Sequence, residues 1–366
     1  MEAKSEEGKQ RLTSLDAFRG ATMALMVLVN DPGNGDHVYA PLEHAAWHGW
    51  TPTDVVFPSF VWIVGVAITL SLGRKLAAGE SRSVILQQAF RRAAILFLLG
   101  LLVYAVPKFD FSTQRILGVL QRIAICYAVT VPIYLSTKLR GQILWITGLL
   151  SVYWVLMAWM PVPGYGAGRL DVEGNFAHYI DRIVLGAHNY EHTKTWDPEG
   201  IVSTLPAIAT MLLGVVAGHI VAWKRSVSER TRVLLIVGAL LIAAGLVCDQ
   251  WLPINKKLWT SSFTLFMAGL DFVLFALFLW IADGLGHKRM FQPFVILGMN
   301  AIAIYMVSEA GEIFLSALGW KPWIYQHLFL PLASPVNASL LYGLAYTFAN
   351  FLVAWALWRK RIFFRV

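Results

Sequence analysis

The chain has 366 residues, of which 57% are hydrophobic and 14% charged, with a mean hydropathy of +0.59. Soluble chains carry about 25% charged residues, so there is too little polar side chain here to coat a globule in water, and the excess of 30 Lys and Arg over 22 Asp and Glu points to a membrane face rather than to nucleic acid. The two cysteines, Cys126 and Cys248, sit inside apolar runs and offer neither a disulfide scaffold nor a metal site.

In chain order, residues 1–11 (MEAKSEEGKQR) are polar and lack the apolar core of a cleaved export signal, so the first span is expected to be its own anchor. Apolar runs of about 20 residues predict helices near 14–31, 54–73, 92–107, 117–137, 142–161, 201–223, 233–251, 258–282, 291–308 and 335–358. The expected fold is an all-α integral membrane protein, about ten transmembrane helices in one bundle spanning 1–366. Ten spans put both termini on one side. That side holds 20 Lys and Arg, among them Lys4, Lys9, Arg11, the cluster Arg74, Lys75, Arg82, Arg91 and Arg92, and the closing Arg359, Lys360, Arg361 and Arg365. The other side holds eight, which assigns both termini to the cytoplasm. The stretch GEIFLSALGW at 311–320 reads as a lid, re-entrant or interfacial piece. Trp159, Trp223, Trp251, Trp259, Trp280 and Trp358 fall at span ends and read as interfacial anchors. Pro58 and Pro206 predict kinks. No internal repeat of the kind that builds two-halved transporters is visible.

Ionisable groups in hydrocarbon are costly and mark function. Arg19 follows Asp16 by three residues, a spacing at which the two pair on one face or Arg19 reaches an anionic ligand. Arg122, beside Gln121, calls for an acidic partner or an anion. The first outer loop carries Asn30, Asp31, Asp36, His37, Glu43, His44, His48 and Asp54 without a Lys or Arg. Three histidines at spacings of seven and four make zinc possible, but no cysteine accompanies them, and acid/base chemistry, with a carboxylate orienting an imidazole, is the better reading. Asp54 also reads as a helix cap, and His37 and His48 as solvated. Asp249, Asn255, Lys256, Lys257, Asp271, Asn300, Glu309 and Glu312 on further spans predict a polar cavity through the bundle. The connection 162–200, ending in WDPEGIVST, exceeds what a simple link needs and is expected to fold over the extracytoplasmic mouth. DPEG reads as a turn.

SLDAFRGATMALMVLVND, HAAWHGWTPTDVVFPSFVWIVGVAI, GVLQRIAICY, DPEGIVSTLPAIATMLLGVVAG, NKKLWTSSF and GMNAIAIY, in this order, resemble the membrane core of the heparan-alpha-glucosaminide N-acetyltransferase family. The resemblance covers nearly the whole chain, without the luminal domain that precedes the core in the lysosomal enzyme, and is similar to bacterial members of an inner (plasma) membrane. It implies transfer of acetyl from cytoplasmic acetyl-CoA to the amine of a glucosamine-type sugar on the far side, and a homodimer in the lipid bilayer. The family's active-site histidine falls on His44, its Asn at the end of the first helix on Asn30, and its Asp before VFP on Asp54. Where relatives have more glycine after that Asn, this chain has Asp31 and Pro32. His44 is then the general base or an acetyl carrier, Asp54 its orienting partner, and Asn30 a donor to the carbonyl oxygen. Arg19 and Arg92 are expected to hold CoA phosphates at the cytoplasmic mouth, with Arg122, Asn255 and Lys256 along the cavity. The acceptor stays open, and no metal is implied. The alternative is a transporter or flippase of a polar small molecule or glycan precursor, which ten spans around a polar cavity fit as well.

Overall fold

The computed structural model describes residues 12–106 and 108–364; the segment 1–11 and Arg365, used above for anchoring and orientation, lie outside them. Thirteen α-helices, joined by short 3-10 and π turns and without a strand among the described residues, run in chain order. They are α1 Thr13–Asn30, α2 Val56–Ala77, α3 Arg82–Ala105, α4 Val119–Ser136, α5 Leu139–Trp159, α6 Phe176–Val184, α7 Thr204–Val221, α8 Val227–Cys248, α9 Ser261–Phe278, α10 Gln292–Met299, α11 Ala301–Ala317, α12 Trp320–Ile324 and α13 Pro335–Arg359. Eight of them are long and apolar enough to cross a membrane, and α10 with α11 forms a further pair bent by 68° at Asn300. α1, which carries Asp16 and Arg19, falls outside that set.

Helices in lipid gain nothing from hiding apolar surface and associate by close packing, which small residues permit. Gly65 of α2 and Gly214 of α7 face each other so closely that a Cβ on Gly65 would lie 1.9 Å from the Met211 carbonyl oxygen, and one on Gly214 2.0 Å from that of Trp62. Gly20 of α1 and Gly298 of α10 make a second such crossing. Around α2, α7 and α9 the core closes over Trp62, Trp259, Phe263, Phe272 and Phe275, all essentially inaccessible. By contrast α8 and α13 bury little of their length, as helices bordering lipid do.

Several expectations are corrected. α3 begins at Arg82, capped by Ser81, whose hydroxyl accepts from the Val84 amide. It starts ten residues before its apolar run, because a helix need not be apolar where it leaves the bilayer. Trp259 is no interfacial anchor: it is 1% exposed, and its indole N–H donates to Thr210 Oγ1 at 3.1 Å. Pro58 and Pro206 fall in the first turns of α2 and α7, where the missing N–H has no intrahelical partner to lose. The proline within a helix is Pro132 of α4. Residues 311–317 continue α11, and only then does the chain turn, at the left-handed Gly319 (φ 69°), into the exposed Trp320 and Trp323 of α12.

Candidate active site

Between α1 and α2 the chain turns twice in 3-10 conformation, at Ala40–Leu42 and at Pro52–Val55. The second turn carries a Thr51/Asp54 capping box. Asp54, 1% exposed, divides its oxygens. Oδ2 accepts from the amides of Ala45 (3.1 Å) and Thr51 (3.0 Å), while Oδ1 lies 2.7 Å from His44 Nδ1. One carboxylate therefore caps a turn and aims an imidazole. A carboxylate accepts only, so Nδ1 carries the proton and Nε2 keeps its lone pair. His44 is itself exposed. Lys256 approaches the same ring, with Nζ 3.1 and 3.2 Å from its two nitrogens and 3.6 Å from Asp54 Oδ1.

The turn between α8 and α9 places that lysine. Asn255, fully buried, accepts from the Leu258 amide at 2.9 Å, and Thr260 caps α9 by accepting from Phe263. The turn is stitched to the loop before α2: the Gly49 amide donates to Ile254 O (2.7 Å), Lys257 Nζ donates to Ala46 O (2.6 Å), and Asn255 Nδ2 stands 3.4 Å from His48 Nδ1. Burial holds the Lys256 ammonium below its ordinary range, with Asp54 and then Glu199 pulling the other way.

His44, Asp54, Lys256 and Asn30, the exposed last residue of α1, line one cavity of about 360 Å³. Its opposite wall comes from segment 162–200 with Arg115. The Arg115 guanidinium forks onto Asp197 (Nε–Oδ2 2.7 Å, Nη2–Oδ1 2.6 Å), also meets Glu199, and lies over the rings of Tyr190 (4.4 Å) and Tyr104 (5.0 Å). Asp181 supports this turn, accepting from the amides of Ile201 (2.9 Å) and Asp197 (3.3 Å). Burial pushes its carboxyl up to about 6. Trp47 and Trp196 meet at 82° on this wall, and His178 stacks on Trp196 at 4.1 Å. Burial pushes His178 down to about 3, so it is a neutral packing element.

A second cavity of about 340 Å³ is lined by Arg19, Arg92, Tyr127 and the tail residues Phe363 and Phe364 among others. The two cavities share four lining residues, Met26, Phe60, Val119 and Tyr305, which stand between them as a partition. Arg19 Nη1 pairs with Asp16 (3.2 Å) and donates to Gly298 O (3.3 Å). Arg92 lies 5.2 Å over the Tyr127 ring and keeps Nε buried without a partner.

Of the residues expected along the cavity, His44, Asp54, Asn30 and Lys256 gather in the first, and Arg19 and Arg92 in the second. Arg122 and Asn255 line neither. Arg122, 1% exposed, donates from Nη2 to Gly200 O (3.0 Å) and Ser203 Oγ and lies 5.0 Å over Trp259. It braces the turn before α7, with Nε and Nη1 buried and without a hydrogen-bond partner among the described residues, and Asn255 braces the Lys256 turn. Reading the residues alone missed Arg115, Glu199, Trp47, Tyr190 and Trp196. The available signal was the acidic pair in WDPEG and the isolated Arg115, 82 and 84 residues away.

An aimed imidazole whose Nε2 carries a lone pair, beside an ammonium and an amide donor, suits proton removal from a nucleophile together with stabilisation of developing negative charge. Residues 11–243 match the family model of the catalytic part of heparan-alpha-glucosaminide N-acetyltransferase. The chain is also similar to the heparan-alpha-glucosaminide N-acetyltransferases of Homo sapiens (30% identical) and Mus musculus (29%), each match taking in 97% of the chain. It spans 60% of the length of these relatives.

Proposed function

The chain belongs to the heparan-alpha-glucosaminide N-acetyltransferase family, and from that membership we propose that it transfers acetyl from acetyl-CoA, held in the second cavity, to the amine of a glucosamine-type sugar held in the first. The second cavity then opens to the cytoplasm and the first to the far side of an inner (plasma) membrane, with α10 and α11 together as one of ten spans. The observation that carries this reading is the His44–Asp54–Lys256 group on a cavity separated by one partition from a second, arginine-bearing cavity. Arg19 and Arg92 suit the phosphates of CoA, and the unpaired Arg92 Nε is a donor in reserve.

Asp54 holds the tautomer and His44 Nε2 acts as the base. The acceptor ammonium first releases one proton to water in the cavity, and the resulting amine attacks the thioester carbon. The C–N bond forms and the C–S bond breaks. His44 takes the surplus proton from nitrogen and returns it to the departing thiolate. Lys256 and the Asn30 amide stabilise the oxygen on which charge collects. An acetyl-histidine route starts from the same lone pair.

The test is acetyl transfer to glucosamine in detergent, together with titration of acetyl-CoA into wild type and His44→Ala. We expect both to bind acetyl-CoA and only the wild type to turn over, with a loss of about 10²-fold or more in the variant. A wild type that neither binds nor consumes acetyl-CoA would hand the molecule to transport.

A further inference from the structure

How the first cavity recognises its acceptor is a separate question, resting on the acetyl-transfer reading above. A primary amine reaches water-exposed protein mainly as an ammonium, and a buried carboxylate with an oxygen to spare is what holds such a cation. Among the described residues, the carboxylates lining the cavity are Asp54 and Glu199. Asp54 is spent: its two oxygens serve Ala45, Thr51 and His44, with Lys256 alongside. Glu199 is not. Its Oε2 meets Arg115, its side chain keeps 10% exposure on the cavity, and among the described residues no hydrogen-bond donor takes Oε1.

Arg115 and Arg122 share one buried cluster with Asp181, Asp197 and Glu199, and Glu199 is the acid of that cluster that faces the cavity, where Lys256 also attracts it. Trp47 and Tyr190 stand on the same cavity and offer aromatic faces to the apolar side of a ring.

We propose that Glu199 binds the ammonium of the acceptor, and that the first cavity is selective for amino sugars presented as cations. Acetylation turns the ammonium into a neutral amide, so the product loses this ion pair and leaves. Glu199 thereby separates substrate from product, a task distinct from the chemistry at His44.

The test is equilibrium binding of glucosamine and of N-acetylglucosamine to the full chain in detergent, alongside turnover. For Glu199→Gln we expect glucosamine to bind at least tenfold more weakly, N-acetylglucosamine within twofold of wild type, and acetyl-CoA unchanged. Glu199→Asp, which keeps the charge, should fall between the two. Asp197→Asn is the control for damage to the Arg115 cluster, because Asp197 shares that guanidinium but is 0% exposed and lines neither of the two cavities; it should lower thermal stability while leaving the ratio of the two sugar affinities alone. If Glu199→Gln weakens both sugars equally or neither, or if Asp197→Asn shifts the ratio as much, Glu199 is only a structural partner of Arg115 and the proposal fails. Wild-type binding of the sugars without acetyl transfer would instead count against the acetyltransferase reading, and leave the binding comparison for Glu199 intact.

Discussion

At the scale of single residues, Asp54 does two jobs that one substitution separates. Asp54→Asn keeps the size and can still accept at the turn, but its amide no longer fixes Nδ1–H toward it. We expect activity to fall about 10²- to 10⁴-fold with acetyl-CoA binding retained, measured by turnover and titration. Loss of folding together with activity would mean that the cap, not the imidazole, is its main task. Asp31, next to Asn30, behaves differently. Burial, with Glu312 and Glu309 nearby and against the pull of Lys321, pushes its carboxyl from 3.8 up to about 8. The folded chain thus holds a proton there that the unfolded chain has released, and stability falls as pH rises from about 4 to about 8. Asp31→Asn should flatten that slope in melting temperatures taken across the range; an unchanged slope would assign the pH dependence elsewhere. His44 and Asp54 are ten residues apart in HAAWHGWTPTD, where the family resemblance singled them out, and the turn that pairs them is local. Glu199 was not legible in the sequence. It looks like part of a DPEG turn until the fold brings Arg115 to it from 84 residues away.

The elements owe their positions to small residues and caps more than to apolarity. The α2–α7 crossing leaves no room for side chains at Gly65 and Gly214. Gly214→Val should therefore separate the helices and lower stability by about 1–3 kcal/mol or more, read as a drop in melting temperature in detergent; an unchanged value would mean that the helices can slide apart freely. Gly200 is similarly crowded, since a Cβ there would lie 2.1 Å from Asp181 Oδ2. The helices themselves were readable from apolar runs, within a few residues for α4, α5 and α7. Ends were read less well where a helix extends beyond the apolar layer, as α3 does at Arg82. The break at Asn300 was invisible to hydropathy, which stays high through GMNAIAIYM, whereas the backbone turns by 68° there.

For the whole molecule, the arrangement that matters is two cavities back to back, with Met26, Phe60, Val119 and Tyr305 between them. If acetyl passes that partition, enlarging it should uncouple binding from chemistry. Val119→Trp should leave acetyl-CoA titration within a few-fold of wild type and reduce transfer to glucosamine by an order of magnitude or more; equal transfer would place the route elsewhere. Intramembrane charge, read from the sequence, pointed to a cavity, but not to two or to the side chains between them, because packing partners from four segments are not encoded in any one of them. The most direct test of transfer across the membrane uses vesicles carrying the purified protein, with glucosamine sealed inside and acetyl-labelled acetyl-CoA added outside. We expect labelled N-acetylglucosamine to accumulate inside the vesicles with the wild type and not with His44→Ala. Unlabelled contents, or escape of glucosamine itself through an intact membrane, would contradict transmembrane acetylation and indicate a transporter.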